Sequence, residues 1–223
     1  MHRAIEPFIL YFGTPVILIS TLNENGTYNL APMSSVFWLR WHCMLGLAAS
    51  SKTTQNMMRT GECVLNLASV NEVAAVNRLA LTTGSYPVPE SKQRRGYRFE
   101  PDKFGVAGLR PLASETVAAP RVQECPVQLE AIVEAVHGMA EKDVVQRGLF
   151  VGIEVRIRRV YAEEAILVNG EQNRIDPDKW RPLMMSFQKL YGLGPSVYES
   201  VLAAIPESLY GSPGRDGSSI GAG

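Results

Sequence analysis

Short apolar segments separated by turn residues fill the stretch between residues 16 and 68. Residues 16–22 are rich in β-branched side chains, and Asn25 and Gly26 then supply the positive φ angles that a hairpin turn needs. A second strand is expected to follow at Thr27. Further apolar runs lie at residues 36–41, 43–48 and 62–68. Four to five strands within about fifty residues predict a sheet-dominated, locally connected barrel or sandwich.

The pattern changes after residue 68. Ser69 is a candidate N-cap, and the apolar spacing behind it predicts a helix that ends near Gly84. Residues 85–105 are rich in proline and charge without either periodicity, so we expect a long irregular loop there. From Asp178 the pattern becomes helical. Strands are expected between these regions, at residues 127–139 and 148–167.

Length and charge bound the organisation of the chain and its partners. A chain of 223 residues with 46% hydrophobic content is long enough to bury a sizeable core. We expect one domain over residues 1–205, followed by a flexible Gly/Ser-rich tail over residues 206–223. Lys+Arg and Asp+Glu both number 22, so the formal charge of zero favours neither nucleic acid nor an anionic membrane as a partner.

The cysteines and the N-terminus indicate a cellular compartment. Cys43, Cys63 and Cys125 are odd in number, widely spaced and in apolar surroundings, which fits buried thiols in a reducing environment. The apolar run that precedes Gly13 is too short for a signal peptide or a membrane span. A cytoplasmic location is therefore expected.

No residue pattern for direct chemistry stands out. The histidines are His2, His42 and His137. His42 and Cys43 are strand neighbours that point to opposite faces, so we expect no metal site. The G-x-S-x-G motif of serine hydrolases is absent, and Gly192 and Gly194 lack the third glycine and the preceding strand of a Rossmann turn. The sequence therefore assigns no catalytic residue and no metal ligand.

Two polar segments adjoin the most hydrophobic strands. In residues 50–56, SSKTTQN, Ser51 or Thr53 is a candidate helix N-cap, and the free N–H groups of a helix N-terminus attract anions. Lys52 and the hydroxyls of Ser51 and Thr54 complete the parts of a phosphate site. An ordinary capped helix without a ligand is equally compatible with this segment.

The other polar segment is residues 29–35, NLAPMSS. Asn29 and the two serines flank Pro32, which fixes an extended or turned backbone and removes one backbone donor. Main-chain N–H and C=O groups on such a strand end are able to pair with a planar heterocycle. A solvated loop between strands is the alternative, and this segment by itself favours the loop.

Taken together and in this order, the segments resemble those of a known family, the flavin reductase-like proteins. The first family motif, P-V-x-ϕ-ϕ-(S/T)-T…(D/N)-x-x-G-x-x-N-x-A-P-x-S-x-F, is matched at Pro15, Val16, Ser20, Thr21, Gly26, Asn29, Ala31, Pro32 and Ser34, with Ser35 and Phe37 displaced by one place. The second motif, K-D-T-x-x-N, is matched by Lys52, Thr53, Thr54, Gln55 and Asn56, with Thr53 where the family often has Asp.

The resemblance extends over roughly residues 8–195. Residues 102–131 are similar to a Lys-Phe, Gly-Leu and Pro region of the family, and residues 176–194 are similar to its P-L-x-R-x-G-G-x-Y-x-x-L-G segment. Met185, Phe187 and Gln188 depart from the Arg and Gly-Gly of that segment. Contacts that those positions make in relatives are therefore not carried over.

The resemblance implies a mainly β fold with flanking helices, an antiparallel split β-barrel that binds FMN and forms a homodimer. The first polar segment is implied to contact the isoalloxazine edge and the ribityl chain, and the second to hold the 5′-phosphate. The implied cofactor-binding residues are Asn29, Ala31, Pro32, Met33, Ser34, Ser35, Ser50, Ser51, Lys52, Thr54 and Asn56. The candidates for the dimer interface are Phe37, Trp38 and Trp41, with the core as the alternative location.

The implied activity is an oxidoreductase that uses NAD(P)H to reduce FMN and passes electrons to free flavin for a partner monooxygenase, or to another acceptor. Such hydride transfer needs ring stacking rather than a protein acid or base, which agrees with the absence of an acid/base constellation. A non-enzymatic FMN-binding electron carrier of the same fold is the second hypothesis. Residues 85–104 decide between the reductase and the carrier, depending on whether they cap or expose the flavin face. A flavin-free interaction scaffold is the third.

Overall fold

The computed structural model describes residues 1–210 and has an antiparallel sheet of seven strands as its frame. The strands are β1 (Thr14–Pro15), β2 (Ile17–Leu22), β3 (Tyr28–Met33), β4 (Val36–Leu39), β5 (His42–Ala48), β6 (Glu62–Leu67), β7 (Thr82–Thr83), β8 (Arg98–Phe99), β9 (Pro111–Leu112), β10 (Arg121–Val122), β11 (Val127–Gly138), β12 (Phe150–Ala162), β13 (Leu183–Ser186) and β14 (Lys189–Gly192). The helices are α1 (Lys52–Thr60), α2 (Val73–Leu79), α3 (Glu90–Gln93) and α4 (Lys103–Ala107), with 3-10 turns at Val70–Glu72, Glu164–Ile166, Val201–Ala204 and Glu207–Tyr210.

The order of strands in the main sheet is β3-β2-β6-β11-β12-β5-β4, and all of its pairs are antiparallel. The predicted mainly β fold with flanking helices is therefore confirmed. Strand β3 lies at one edge of this sheet and β4 at the other. Because an edge strand pairs on one side only, the free side of β3 is open to contacts from outside the sheet.

Alternate side chains of β2 supply two different cores, as the period of two in a strand requires. Ile17 and Ile19 are fully buried in the larger core, most of whose other members come from β5, β6, β11 and β12. Leu18 points to the opposite face, into a smaller core that includes Val76 of α2 and Phe104 of α4. Both faces of β2 are thus covered, which explains why residues 16–19 are continuously apolar.

The cysteines behave as the sequence predicts. Cys43, Cys63 and Cys125 are buried free thiols, and burial raises the pKa of Cys43 to about 12. The prediction for the turn that joins β2 to β3 is half right, because Gly26 has a φ of 80° but Asn25 does not have a positive φ. No helix among residues 1–210 is long and apolar enough to cross a membrane.

The predicted helix from Ser69 to Gly84 is only partly right. Ser69 caps a 3-10 turn, with its backbone N–H donating to the Glu72 carboxylate, and α2 then ends at Leu79. Buried β-branched Thr82 and Thr83 form strand β7, which pairs in parallel with β8. The expectation of a wholly irregular segment at 85–105 is also wrong, because α3, β8 and the start of α4 lie within it.

The helix expected from Asp178 is wrong. Strands β13 and β14 form a hairpin, and β13 also pairs with β1. Phe187 and Gln188 make its turn with φ angles of 44° and 67°, left-handed values that end any helical continuation. Of the predicted tail at 206–223, residues 211–223 lie outside the described part of the chain, and Glu207–Tyr210 form a 3-10 turn.

Candidate functional site

Helix α1 begins as the sequence predicts, with Ser51 as its N-cap. The Ser51 hydroxyl accepts a hydrogen bond from the Thr54 backbone N–H at 3.1 Å. Thr54 donates its own hydroxyl to the Ala48 carbonyl at 2.9 Å, and its side chain is fully buried. The Thr54 hydroxyl is therefore engaged in holding the helix start to the end of β5.

The buried amides of Asn29 and Asn56 join α1 to the sheet. Asn29 Nδ2 donates to Thr53 Oγ1 at 3.1 Å, and Asn56 Nδ2 donates to Asn23 Oδ1 at 2.8 Å. Thr21 Oγ1 accepts from both amides, at 3.4 Å and 3.0 Å. This network explains why residues from the two predicted polar segments meet: Asn29 on β3 lies directly against the first turn of α1.

A cavity of about 300 Å³, the polar cavity, opens beside this network. Its lining includes Asn25, Asn29, Lys52, Gly84, Phe99 and Lys103. A Cβ atom on Gly84 would lie 2.6 Å from Asn29 Oδ1 and 3.1 Å from Lys52 Cγ. Any side chain at position 84 therefore collides with the cavity wall, so glycine keeps this space open.

Two lysines supply positive charge to the polar cavity, and they differ in environment. Lys52 Nζ forms an ion pair with Glu24 at 2.6 Å, and this hydrogen bond is the main cause of a lowered Glu24 pKa. Lys103 is buried, with Nζ donating to Thr82 Oγ1. Burial lowers the pKa of Lys103 to about 8, with the charge of Lys92 adding to the effect.

Lys103 has no carboxylate within ion-pair distance in residues 1–210. Glu100 also lines the cavity and acts on Lys103 from beyond ion-pair distance, so the hydration that the buried ammonium loses is not replaced by a direct ion pair. An anion in the polar cavity would supply that missing partner. The side chains present therefore fit a phosphate group.

A second cavity, of about 550 Å³, lies at the other end of β3 and is here called the apolar cavity. Its lining includes Ile9, Tyr11, Pro32, Met33, Ser34, Val76, Ala80, Leu81, Tyr97 and Met185. The Tyr11 hydroxyl lies 2.5 Å from Ser34 Oγ and 3.2 Å from Ser35 Oγ, which ties the N-terminal segment to this site.

Strand β3 connects the two cavities, with Asn29 at the polar one and Pro32 to Ser34 at the apolar one. At about 3.3 Å per residue, Asn29 and Ser34 are roughly 17 Å apart along the chain. An elongated ligand with one anionic end and one flat apolar end matches this arrangement.

The structure distributes the predicted cofactor residues over the two cavities, the part of β3 between them and helix α1. Asn29 and Lys52 line the polar cavity, and Pro32, Met33 and Ser34 line the apolar cavity. Ala31 lies between them on β3, and Ser35 contacts Tyr11. The remaining residues precede, cap or lie within α1: Ser50, Ser51, Thr54 and Asn56.

Sequence reasoning missed Tyr11, Gly84 and Lys103. Lys103 lies within the family-like segment 102–131. The sequence does not distinguish a buried lysine from an exposed one, and only the fold brings Lys103 to the polar cavity. Gly84 was interpreted as a helix end. Its role depends on contact with Asn29 and Lys52, which are distant in sequence.

Comparison with known proteins assigns the family. The model of the flavin reductase like domain matches residues 9–176, so the chain belongs to the flavin reductase-like family. An uncharacterized protein of Bacillus subtilis, YdfE, is 36% identical over 195 residues, covering 87% of this chain and 91% of the relative. An uncharacterized protein of Methanothermobacter thermautotrophicus is 30% identical over 174 residues, covering 77% and 73%.

Solved structures share the fold at low sequence identity. Flavoredoxin of Desulfovibrio vulgaris has a TM-score of 0.71 at 18% identity, covering 91% of this chain and 99% of that one. Nitrilotriacetate monooxygenase component B of Bacillus cereus has a TM-score of 0.68 at 19% identity, covering 84% and 88%. A Shewanella frigidimarina protein described as a flavin reductase with split barrel domain has a TM-score of 0.64 at 18% identity, covering 84% and 86%.

These comparisons confirm the resemblance to the flavin reductase-like family and the split-barrel fold. Membership of this family assigns oxidoreductase chemistry with a flavin as the cofactor class.

Proposed function

We propose that the protein binds FMN along β3 and uses NAD(P)H to reduce it. The observation that carries this proposal is the pairing of a polar cavity containing two lysines with an apolar cavity at the two ends of one edge strand. FMN has an anionic phosphate at one end and a flat ring system at the other. Riboflavin, which lacks the phosphate, would use only part of this arrangement.

The phosphate end is assigned to the polar cavity. Lys103 is buried without a carboxylate partner, and Lys52 stands at the first turn of α1, where the helix dipole favours negative charge. Hydrogen bonds from charged donors to phosphate are the strong ones. Ser51 and Thr54 support this end by fixing the start of α1.

The ring end is assigned to the apolar cavity. Pro32 and Met33 form one wall, and Ala80 and Leu81 after α2 form another. A lining that is mostly apolar with a few polar groups is typical of cofactor sites. Here the polar groups are Ser34 and the Tyr11 hydroxyl, which are hydrogen-bonded to each other, together with Asn77 and Gln188.

Bound FMN would supply the redox chemistry by accepting hydride from a nicotinamide and passing the electrons on. The chain's own contribution is to orient the ring, to exclude water from its buried face and to neutralise the phosphate. These tasks need no side-chain acid, base or nucleophile. The choice between NADH and NADPH, and between free flavin and another acceptor, lies with residues that cover the open side of the site.

We also propose a homodimer and, as the recipient of reduced flavin, a partner monooxygenase. Phe37 and Leu39 on edge strand β4 are 54% and 71% exposed, which favours a partner surface there. Trp38 and Trp41 instead pack against the larger core. Similarity to nitrilotriacetate monooxygenase component B is consistent with a two-component system, and a cytoplasmic location belongs to the same proposal.

The test is the visible spectrum of the FMN-loaded protein under anaerobic conditions. We expect flavin bands that bleach on addition of NADH or NADPH. A yellow protein that neither nicotinamide bleaches would contradict the reductase and support the electron carrier, a role compatible with the similarity to flavoredoxin. A protein that stays colourless with excess FMN would leave only the flavin-free scaffold.

A further inference from the structure

A cluster of histidine and glutamate side chains lies on the main sheet, away from both cavities. His42 is on β5, Glu134 and His137 are on β11, and Glu154 is on β12. The cavities border β3 at one edge of the sheet, whereas β12 and β5 lie toward the other edge. The flavin site therefore does not use this cluster.

The strand register places these side chains on one face. Glu154 pairs with Met44 and with Ala135, so His42 and His137, each two residues away, lie on the same face as Glu154. A register shift between Val133 and Ala135 leaves Glu134 as the extra residue of a β-bulge. Bulges redirect a side chain, and this one brings the Glu134 carboxylate beside His42.

The distances match those between ligands of one metal ion. Four ligands about 2.1 Å from a tetrahedral ion are about 3.4 Å from one another. His42 Nε2 lies 3.2 Å from Glu134 Oε2, and His137 Nε2 lies 3.7 Å from Glu154 Oε2. The ligand atoms of His42, Glu134 and Glu154 are all within 4.8 Å of one another.

From this geometry we propose that His42, Glu134 and Glu154 bind a divalent transition-metal ion of the Zn²⁺ type as its three protein ligands, while His137 contacts Glu154 beside the site. Imidazole and carboxylate are a donor set that Zn²⁺ accepts in proteins. The ion links β5, β11 and β12 through side chains, so its effect is on the stability of this part of the sheet. His42 contributes to it while its neighbour Cys43 faces the core.

Arg156 is the charged group that competes with the ion. Its guanidinium Nε donates to Glu134 Oε1, the oxygen that does not face His42. Glu134 Oε2 therefore remains available as a ligand, but the positive charge of Arg156 repels a cation. Replacing Arg156 with a neutral residue is expected to tighten metal binding rather than weaken it.

The experiment is a titration of the FMN-loaded, chelator-treated protein with Zn²⁺ in competition with a chromogenic chelator. We expect one ion per chain. His42→Ala and Glu154→Gln should each weaken binding at least about 10-fold, and Arg156→Gln should strengthen it about threefold. His2→Ala and Glu164→Gln, which change the same residue types outside the cluster, serve as controls and should bind like the wild type.

Thermal melting gives a second measurement that separates a lost ligand from a damaged fold. Zn²⁺ should raise the melting temperature of the wild type and leave that of the His42→Ala/Glu154→Gln double variant unchanged, because a ligand stabilises only the state that binds it. The double variant should retain its flavin spectrum. Absence of Zn²⁺ binding by the wild type, or wild-type binding by the double variant, would overturn the metal site.

Discussion

The polar and apolar cavities flank the same strand but are built in different ways. The polar cavity is formed by charged, amide and aromatic residues from separate segments, with Lys52 from α1, Gly84 after β7 and Lys103 from α4. The apolar cavity uses the end of β3 and the end of α2, elements that also border the smaller core. The proposed function therefore makes recognition of the phosphate and recognition of the ring separable, so that FMN and riboflavin affinities test them independently.

The largest effect is expected from closing the polar cavity with Gly84→Val. The added Cβ meets Asn29 Oδ1 at 2.6 Å, so the new side chain occupies the space assigned to the phosphate. FMN affinity should fall more than about 100-fold, whereas riboflavin affinity should change less than about threefold. Fluorescence titration of the apoprotein with each flavin measures both.

Gly194→Val is the matched control, because a Cβ at Gly194 meets nothing within 4 Å. It should leave both affinities unchanged. If Gly84→Val binds FMN normally, the phosphate is not in the polar cavity. If both flavins are lost together, the substitution has damaged the fold and the two cavities are not separable in this way.

The opposite pattern is expected when the apolar cavity is filled with Ala80→Leu. Ala80 is exposed to the cavity, so the larger side chain occupies space assigned to the ring, and FMN and riboflavin should both bind about 30-fold more weakly. Ala74→Leu places the same change at an exposed position of α2 outside the apolar cavity and should have no effect. Selective loss of FMN in Ala80→Leu would contradict the assignment of the ring to this cavity.

The protonation of Lys103 makes the difference between FMN and riboflavin affinity depend on pH. Because burial lowers its pKa to about 8, Lys103 is charged below that pH and neutral above it. FMN affinity should therefore fall about 10-fold between about pH 7 and pH 9, while riboflavin affinity stays level. Titrations at several pH values measure this, and an equal decline for both flavins would show that Lys103 is not the group responsible.

A smaller effect is expected at Lys52, since Glu24 already satisfies its charge at 2.6 Å. Lys52→Ala should weaken FMN binding about fivefold, the worth of an ordinary hydrogen bond. Glu24→Gln removes the competitor and should tighten FMN binding about twofold. Isothermal titration resolves both changes, and a Glu24→Gln protein with weaker FMN binding would show that Lys52 does not contact the phosphate.

A similar contrast, between local elements and elements assembled from distant segments, explains how much of the fold the sequence predicted. Strands β2 to β6 and helix α1 follow from local signals: alternation, a turn at Asn25 and Gly26, and a Ser51 cap. The β13–β14 hairpin did not follow, because its apolar spacing is helical and its turn at Phe187 and Gln188 contains no glycine. That hairpin is stabilised by pairing with distant β1, which no local pattern reveals.

The candidate site shows the same division between features with a local sequence signal and features that arise from contacts between distant segments. The two polar segments were predicted from the sequence because each is continuous, and the structure brings Asn29 and Lys52 together in the lining of one cavity. Lys103 and Gly84 were missed since their roles arise from burial and from a close approach between separate segments. Burial of a lysine is a property of the fold and leaves no mark in the local sequence.

The most direct test of the account is the FMN and riboflavin affinity of Lys103→Met, with Lys142→Met, a change at an exposed lysine, as the control. Loss of a charge-assisted hydrogen bond costs about 1.5–3 kcal/mol, so FMN should bind about 10- to 100-fold more weakly while riboflavin binds as before. Lys142→Met should match the wild type with both ligands. Unchanged FMN affinity in Lys103→Met, or a parallel loss of riboflavin, would contradict the claim that the buried lysine holds the flavin phosphate.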